Sequence, residues 1–215
     1  VRGRPVDRPL RLEVGIADVV PKLVARKLIE PALSLPQEVN VICREGKPDQ
    51  LLADLALHSL DVVLLDAPLG SGTNIKAFNH LLGECSVHIF GTPALRDQYP
   101  QEFPACLDQA PFLMPLETSS IRRAIEEWLD QQKLRPRVVG EFEDSALMKV
   151  FGQTGAGFFP SPSVIGEEIE RQYGVVTLGP VGDFRERFYA ISVERRVTHP
   201  AVVAVLDEAR REVFS

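Results

Sequence analysis

The feature that most constrains this chain is an alternation of short apolar runs with amphipathic stretches, sustained almost from end to end. Leu10 to Ala17 (LRLEVGIA) alternates apolar with other residues and reads as a strand. In DVVPKLVARKLIEPAL, which follows, Val20, Leu23, Val24, Leu28 and Ile29 recur near helical spacing. Asp18 stands at the N-cap position of that helix, and Pro21 suits its first turn. Val39 to Glu45 is a second strand, and KPDQLLADLALHSL is a helix with Pro48 near its start. Asp61 to Asp66 (DVVLLD) is the apolar run of a buried parallel strand. Strands that alternate with helices form a parallel sheet, because each return to the same edge must cross over one face.

The second half repeats the pattern. After a loop, SGTNIKAFNHLLGE, come the strands CSVHIFG and APFLMP. SSIRRAIEEWLDQQK puts Ile121, Ala124, Ile125, Trp128 and Leu129 on one helical face. RPRVVGEFE is a strand, DSALMKVFGQ a helix, AGFFPS a strand, PSVIGEEIERQY a helix and GVVTLGPV a strand. The closing strand ERFYAISVERR and the helix HPAVVAVLDEARREVF lack partners in this half, so they pack back on the first. The expectation is two α/β units built alike, crossed by the chain twice, with a ligand cleft at the C-terminal ends of the parallel strands.

Composition narrows the function. A net charge of −6 argues against a surface that binds nucleic acid without sequence preference. No apolar run approaches the roughly 18 residues of a membrane span. The first residues, VRGRPVDRPLRLEV, lack the apolar core of a signal peptide and read as a linker entering a strand. Cys43, Cys85 and Cys106 are odd in number and widely spaced, which suits reduced thiols in the cytoplasm rather than disulfides or zinc.

Three glycines within FGQTGAGFFPSPS, Phe151 to Ser163, raise the question of a phosphate cradle. A phosphate loop runs strand, glycines, helix, so that the helix N-terminus faces the anion. Here the order is helix, glycines, strand. Gly152 or Gly155 then serves as a left-handed helix terminator, and Gly157 permits close backbone approach. No catalytic constellation stands out. His58, His80, His88 and His199 lack metal-ligand spacing. Ser145 lies four residues before Lys149 where a Ser-x-x-Lys dyad needs three, and Lys149 is expected to point to solvent. The chain is therefore read as a binding protein rather than an enzyme, with no cofactor.

Three strand-to-helix turns are polar: Ala17 to Val20, Glu45 to Pro48 and Pro115 to Ser120. Each offers helix N-terminal amides and hydroxyls to a small ligand, or simple capping by Asp18, Asp49 and Thr118 or Ser119. Should Asp18, Asp66, Glu117 and Asp144 converge, they favour a cation; otherwise they are solvated acids on loop tips. No metal site is assigned beyond a weak cation position at Asp18 and Glu117.

In serial order these segments resemble the effector-binding domains of LysR-type transcriptional regulators. LRLEVGIADVVPKLVARKLIEPAL with VNVICREGKPDQLLADLALHSLDVVLLDAPL matches their first half, and FLMPLETSSIRRAIEEWLDQQKLRPRVVGEFEDSALMKVFGQTGAGFFPSP their second. FPACL, GEFEDSALMKVFG and THPAVVAV are similar to the branch that activates sodium/proton antiporter genes. The resemblance implies a type 2 periplasmic-binding-protein-like fold: two Rossmann-like subdomains joined by two crossover strands. The expected division is 1–88 with 185–215 in effector-binding subdomain I and 89–184 in subdomain II. The family's N-terminal winged helix-turn-helix is absent from this chain, so DNA would be reached only through that domain. The resemblance also implies an effector between the subdomains, homodimers or tetramers, and a sodium response in this branch. Its effector turns map onto Ala17, Asp18 and Val19; Gly46 and Lys47; Asp66, Ala67 and Pro68; and Pro115, Leu116, Glu117, Thr118 and Ser119. Asp144 and Gly157 join them. Self-association is expected through Leu23, Val24 and Leu28. The second reading is an extracytoplasmic solute-binding protein of a transporter, which shares the fold.

Overall fold

A computed structural model describes residues 8–70 and 75–214. The chain divides into two compact units. One comprises 1–20, 25–83 and 188–215; the other comprises 21–24 and 84–187.

In the first unit, β1 (Leu10–Ala17) leads through a turn to α1 (Lys22–Leu33), then to β2 (Val39–Gly46), α2 (Pro48–Ala56) and β3 (Val62–Leu65). β1 is central and pairs in parallel with both β2 and β3, and β8 (Val176–Ser192) runs antiparallel to β3. All four residues of β3 are buried. That is why the VVLL run carries no polar alternation: a parallel strand covered on both faces has no solvent side. Leu12, Val14, Leu55, Leu64, Ile191 and Val202 are each at most 1% exposed. Each such side chain contributes about 1.5–3 kcal/mol on leaving water.

The second unit repeats the plan. β5 (Pro111–Pro115) and β6 (Arg137–Phe142) pair in parallel, joined over α4 (Ser120–Gln132). α5 (Ser145–Gln153) leads to β7 (Phe159–Pro162), and Phe158, just before it, bridges Phe112 in parallel. β4 (Phe78–Gly91) runs antiparallel to β7. α3 (Pro93–Gln98) follows β4, and α6 (Gly166–Tyr173) precedes β8. Ile121, Ile125, Trp128 and Leu129 of α4 enter a core with Phe112, Phe158, Val87 and Ile89, the stripe that helical spacing predicts. α7 (Pro200–Glu208), with Ala201, Val202, Val205 and Leu206 buried, continues into a π-helical turn at Ala209–Val213.

Several local expectations change. The segment expected as a loop before Cys85 is strand from Phe78 onward, while its residues 71–74 lie outside the described ones. The two strands expected near the C-terminus are one, of 17 residues. β4 and β8 are each long because they carry the chain from one unit to the other, a constraint of topology that local pattern does not encode. α1 begins at Lys22, so Asp18 is not its N-cap. For α2 the N-cap is Lys47, with Pro48 opening the helix and Asp49 in the first turn. Ser119 holds the N-cap position of α4 but makes no side-chain capping bond. Val24 and Leu28 are wholly buried, so they form core rather than a self-association face.

Candidate functional site

In the first unit the expected turns are neighbours because the register makes them so. Ala17 at the end of β1 pairs with Gly46 at the end of β2, and Asp66 directly follows β3. The Asp18 amide donates to the Gly46 carbonyl at 3.0 Å, locking the two turns together. The Lys47 ammonium lies 3.3 Å from the Asp18 carboxylate. This edge therefore carries a joined acid–base pair rather than a bare acid. Ala17 is buried, whereas Asp18, Val19 and Gly46 are half-buried. Lys47, Ala67 and Pro68 are exposed, and Asp66 is half-buried.

In the second unit Pro115 and Phe142 end β5 and β6 in register, and the Leu116 amide donates to the Phe142 carbonyl at 2.9 Å. Leu116 and Ser119 are half-buried, while Glu117 and Thr118 are exposed. Arg122, in the first turn of α4, donates to the Pro115 carbonyl at 2.9 Å and pairs with Glu126 and Glu141. It pins the 115–119 turn from beneath. Its i,i+4 spacing to Glu126 is visible in sequence, but its grip on a backbone carbonyl is not. Asp144 is the N-cap of α5, its carboxylate accepting from the Ala146 amide at 2.7 Å. Being exposed, it has one oxygen engaged in capping and keeps acceptor capacity for a ligand.

The glycine-rich stretch terminates a helix. Gly155 has φ +77°, and its amide donates to the Gly152 carbonyl at 2.9 Å. The Ala156 amide reaches the Phe151 carbonyl at 3.3 Å, completing a Schellman motif. Gly157 is buried, and a Cβ there would stand 3.0 Å from the Pro111 carbonyl oxygen. Its lack of a side chain lets Phe158 exchange backbone hydrogen bonds of 2.9 and 2.8 Å with Pro111 and Leu113. Gly157 shapes the edge and presents no side chain to a ligand.

Two residues escape sequence reasoning. Lys149 is not directed to solvent: it is 3% exposed. Its Nζ donates to the Ser145 carbonyl at 3.2 Å. Burial drives its pKa down to about 8, against the opposing pull of Glu186 and Asp144. Glu186 on β8 is 2% exposed. The helical spacing that puts Lys149 on the face of Met148 and Gly152 was available; the carboxylate that favours its charge, 37 residues on, was not.

Three of the histidines make structural contacts. His80 Nε2 meets the Ser192 hydroxyl at 2.8 Å, His88 meets Ser86 at 3.0 Å, and His199 meets the Arg11 carbonyl at 2.8 Å. Among the described residues no three or more His, Cys, Asp or Glu side chains gather as a metal site. Asp18 lies in the first unit and Glu117 in the second. No described helix is long and apolar enough to cross a membrane.

A family model for the LysR substrate-binding domain matches residues 8–213. The chain belongs to that family. It is 31% identical over 206 residues to the transcriptional activator protein NhaR of Escherichia coli K12 and of Shigella flexneri, covering 96% of this chain and 67% of each relative. Solved structures agree on the fold. The regulatory domain of HypT from Salmonella typhimurium superposes with a TM-score of 0.68 at 16% identity, covering 94% of this chain and 96% of that one. The regulatory domain of OxyR2 from Vibrio vulnificus, in its reduced form, gives 0.67 at 16% identity, with 99% and 100% covered. The effector-binding domain of QuiR in complex with shikimate gives 0.64 at 14% identity, with 95% and 97% covered. As a LysR effector-binding domain close to an activator, the chain is a type 2 periplasmic-binding-like regulatory module. The comparisons do not favour a transporter's solute-binding protein, and the family is one of regulators rather than enzymes.

Proposed function

We propose that this LysR-family domain senses a small effector for an activator of a sodium/proton antiporter gene, and that sodium is the effector to test first. What carries the reading is the 31% identity to NhaR across 96% of the chain. The strand-end turns supply the chemistry. Asp18 with Lys47 in the first unit, and the 115–119 turn with Asp144 in the second, are the residues we assign to effector recognition. A cation entering at Asp18 would compete with the Lys47 ammonium, so weak binding is expected. The effector acts by population shift, favouring one arrangement of the regulator over another. The domain works in the cytoplasm as a homodimer or higher assembly, and DNA is contacted by a separate winged-helix domain.

The second unit carries an apolar surface suited to self-association. Val138 and Val139 of β6 are 42% and 46% exposed, and Leu147, Val150 and Phe151 of α5 are 49%, 48% and 46% exposed. Exposed apolar groups gathered on one strand and one helix mark interaction surfaces.

Thermal unfolding in matched sodium, potassium and lithium chloride at fixed ionic strength tests the effector. Sodium at ten times its Kd stabilises the folded state by about 1.4 kcal/mol. For a chain of this size that raises Tm by about 3–5 °C. Asp18→Asn should remove the rise. Equal midpoints in all three salts would sink sodium as a direct ligand of this chain.

A further inference from the structure

The polar side chains after β8 hold one loop in place. Ser192, 3% exposed, donates its hydroxyl to the Glu194 carbonyl at 2.7 Å, so at 2.8 Å it accepts from His80 Nε2 of β4. The Thr198 hydroxyl donates to the Glu194 carboxylate at 3.3 Å, and His199 Nε2 donates to the Arg11 carbonyl of β1 at 2.8 Å. This braced loop, with Leu60 and Asp61 between α2 and β3 and Val202 of α7, walls a cavity of about 280 Å³. The cavity lies wholly within the first unit. It is separate from the strand-end turns: Asp61 precedes β3 and Asp66 follows it, a step of about 16 Å along the strand. We infer that this cavity is a second ligand site and that it takes a small organic cation, an alkylammonium with a short apolar body.

Charge decides the class. Of the described residues that line the cavity, Asp61 and Glu194 are carboxylates and none is a lysine or arginine. Arg195 and Arg196 of the same loop are exposed and take no part in the lining. The N-terminus of α7 adjoins the cavity through His199 and Val202, and its dipole is equivalent to about half a positive charge. Two full carboxylates outweigh it. Asp61 gives one oxygen to the Glu13 amide at 2.8 Å, and Glu194 gives one to Thr198. A carboxylate has about four lone-pair sites, so both keep acceptor capacity for a ligand.

His199 points the same way on separate grounds. A carbonyl can only accept, so the ring donates from Nε2, and in the neutral ring Nδ1 is then an acceptor. That nitrogen is wholly buried and has no hydrogen-bond partner among the described residues. A buried polar atom left unpaired costs free energy, which an N–H donor on a ligand would offset. The rest of the wall is apolar: Leu60, Val193, Val197 and Val202 call for hydrocarbon beside the charge. The volume lies just under that of drug-sized sites, about 300–1,000 Å³, so the ligand is small. Among the described residues no three His, Cys, Asp or Glu side chains gather as a metal site, which favours an organic cation over a bare ion. The inference stands apart from the sodium reading, which concerns the strand-end turns.

Titration of the chain with n-butylammonium chloride at neutral pH and fixed ionic strength tests this, read from carbon-13 methyl resonances. The methyls of Leu60, Val193, Val197 and Val202 should shift and saturate together. Butyrate and butanol, which carry the same hydrocarbon without the positive charge, should bind about ten-fold more weakly or worse. Glu194→Gln and Asp61→Asn should each weaken butylammonium about ten-fold, the worth of a hydrogen bond to a charged group. Asp61→Asn keeps an oxygen for the Glu13 amide, and Glu194 is exposed, so both variants should fold. If Asp61→Asn fails to fold, Glu194→Gln alone decides. No saturable shift at these methyls overturns the inference, as does equal binding of butyrate or butanol. Unchanged affinity in the variants removes the carboxylates as the recognition groups and overturns it too. The same shifts from sodium chloride at matched ionic strength would make the cavity an inorganic cation site and overturn the organic class.

Discussion

Lys149 shows how much a single residue can depend on its surroundings. Its ordinary pKa of 10.5 falls to about 8 in the fold. The native state therefore gives up this proton more readily than the unfolded chain does. Between about pH 8 and 10.5 the unfolded state binds more protons, so this group's contribution to stability rises with pH through that window. It is complete above 10.5 and is lost as pH falls through 8. Urea unfolding of wild type and Lys149→Met/Glu186→Gln from about pH 7 to pH 10 should show that slope in the first and not in the second. Glycines make a second contrast at this scale. Gly155→Ala strains a left-handed backbone and should cost about 1 kcal/mol. Gly157→Ala drives a methyl against the Pro111 carbonyl and breaks the bridge at Phe158, so its cost should be larger, about 2–3 kcal/mol. Equal losses in the two variants would remove the close-approach account of Gly157.

At the scale of elements, α5 is specified at both ends by local chemistry: Asp144 caps its start, and Gly155 ends it in a Schellman motif. Asp144→Ala should cost about 1 kcal/mol through the lost cap, and it should also weaken any effector that the N-terminus engages. Asp144→Asn keeps the cap and removes the charge, so the pair separates capping from recognition in one unfolding and one binding measurement. Helix starts were harder to read elsewhere. Asp18 has the right residue type for a cap but spends its carboxylate on Lys47 and its amide on Gly46. Those partners come from a neighbouring strand end, which no local window contains. β4 and β8 teach the same lesson at greater length, since 14 and 17 residues of strand are set by the crossings they make.

At the scale of the whole molecule, the two units repeat one plan: parallel strands closed by an antiparallel strand, β8 on β3 in the first unit and β4 on β7 in the second. In the function proposed above, the repeat places the recognition residues on two edges, Asp18 with Lys47 on one and Asp144 with the Arg122-pinned turn on the other. It also leaves Val138 and Val139 of β6 and Leu147, Val150 and Phe151 of α5 exposed. Leu147→Glu should weaken self-association at least about ten-fold in sedimentation while leaving the thermal midpoint unchanged, because Leu147 is 49% exposed and contributes little to the core. A variant that associates as the wild type does would move the interface elsewhere.

Most of the order of strands and helices, the apolar stripe of α4 and the terminating role of Gly152 or Gly155 were legible in the sequence alone. Each depends on periodicity or turn chemistry within a dozen residues, and that information is local. Tertiary structure decided what depended on distant partners: that Lys149 is buried rather than directed to solvent, that Asp18 answers Lys47 rather than capping a helix, that Arg122 holds the Pro115 carbonyl, and that Val24 and Leu28 are core while Leu147 and Val150 are surface. Burial and charge compensation are set by everything that packs around a side chain, and most of that packing comes from residues far away along the chain.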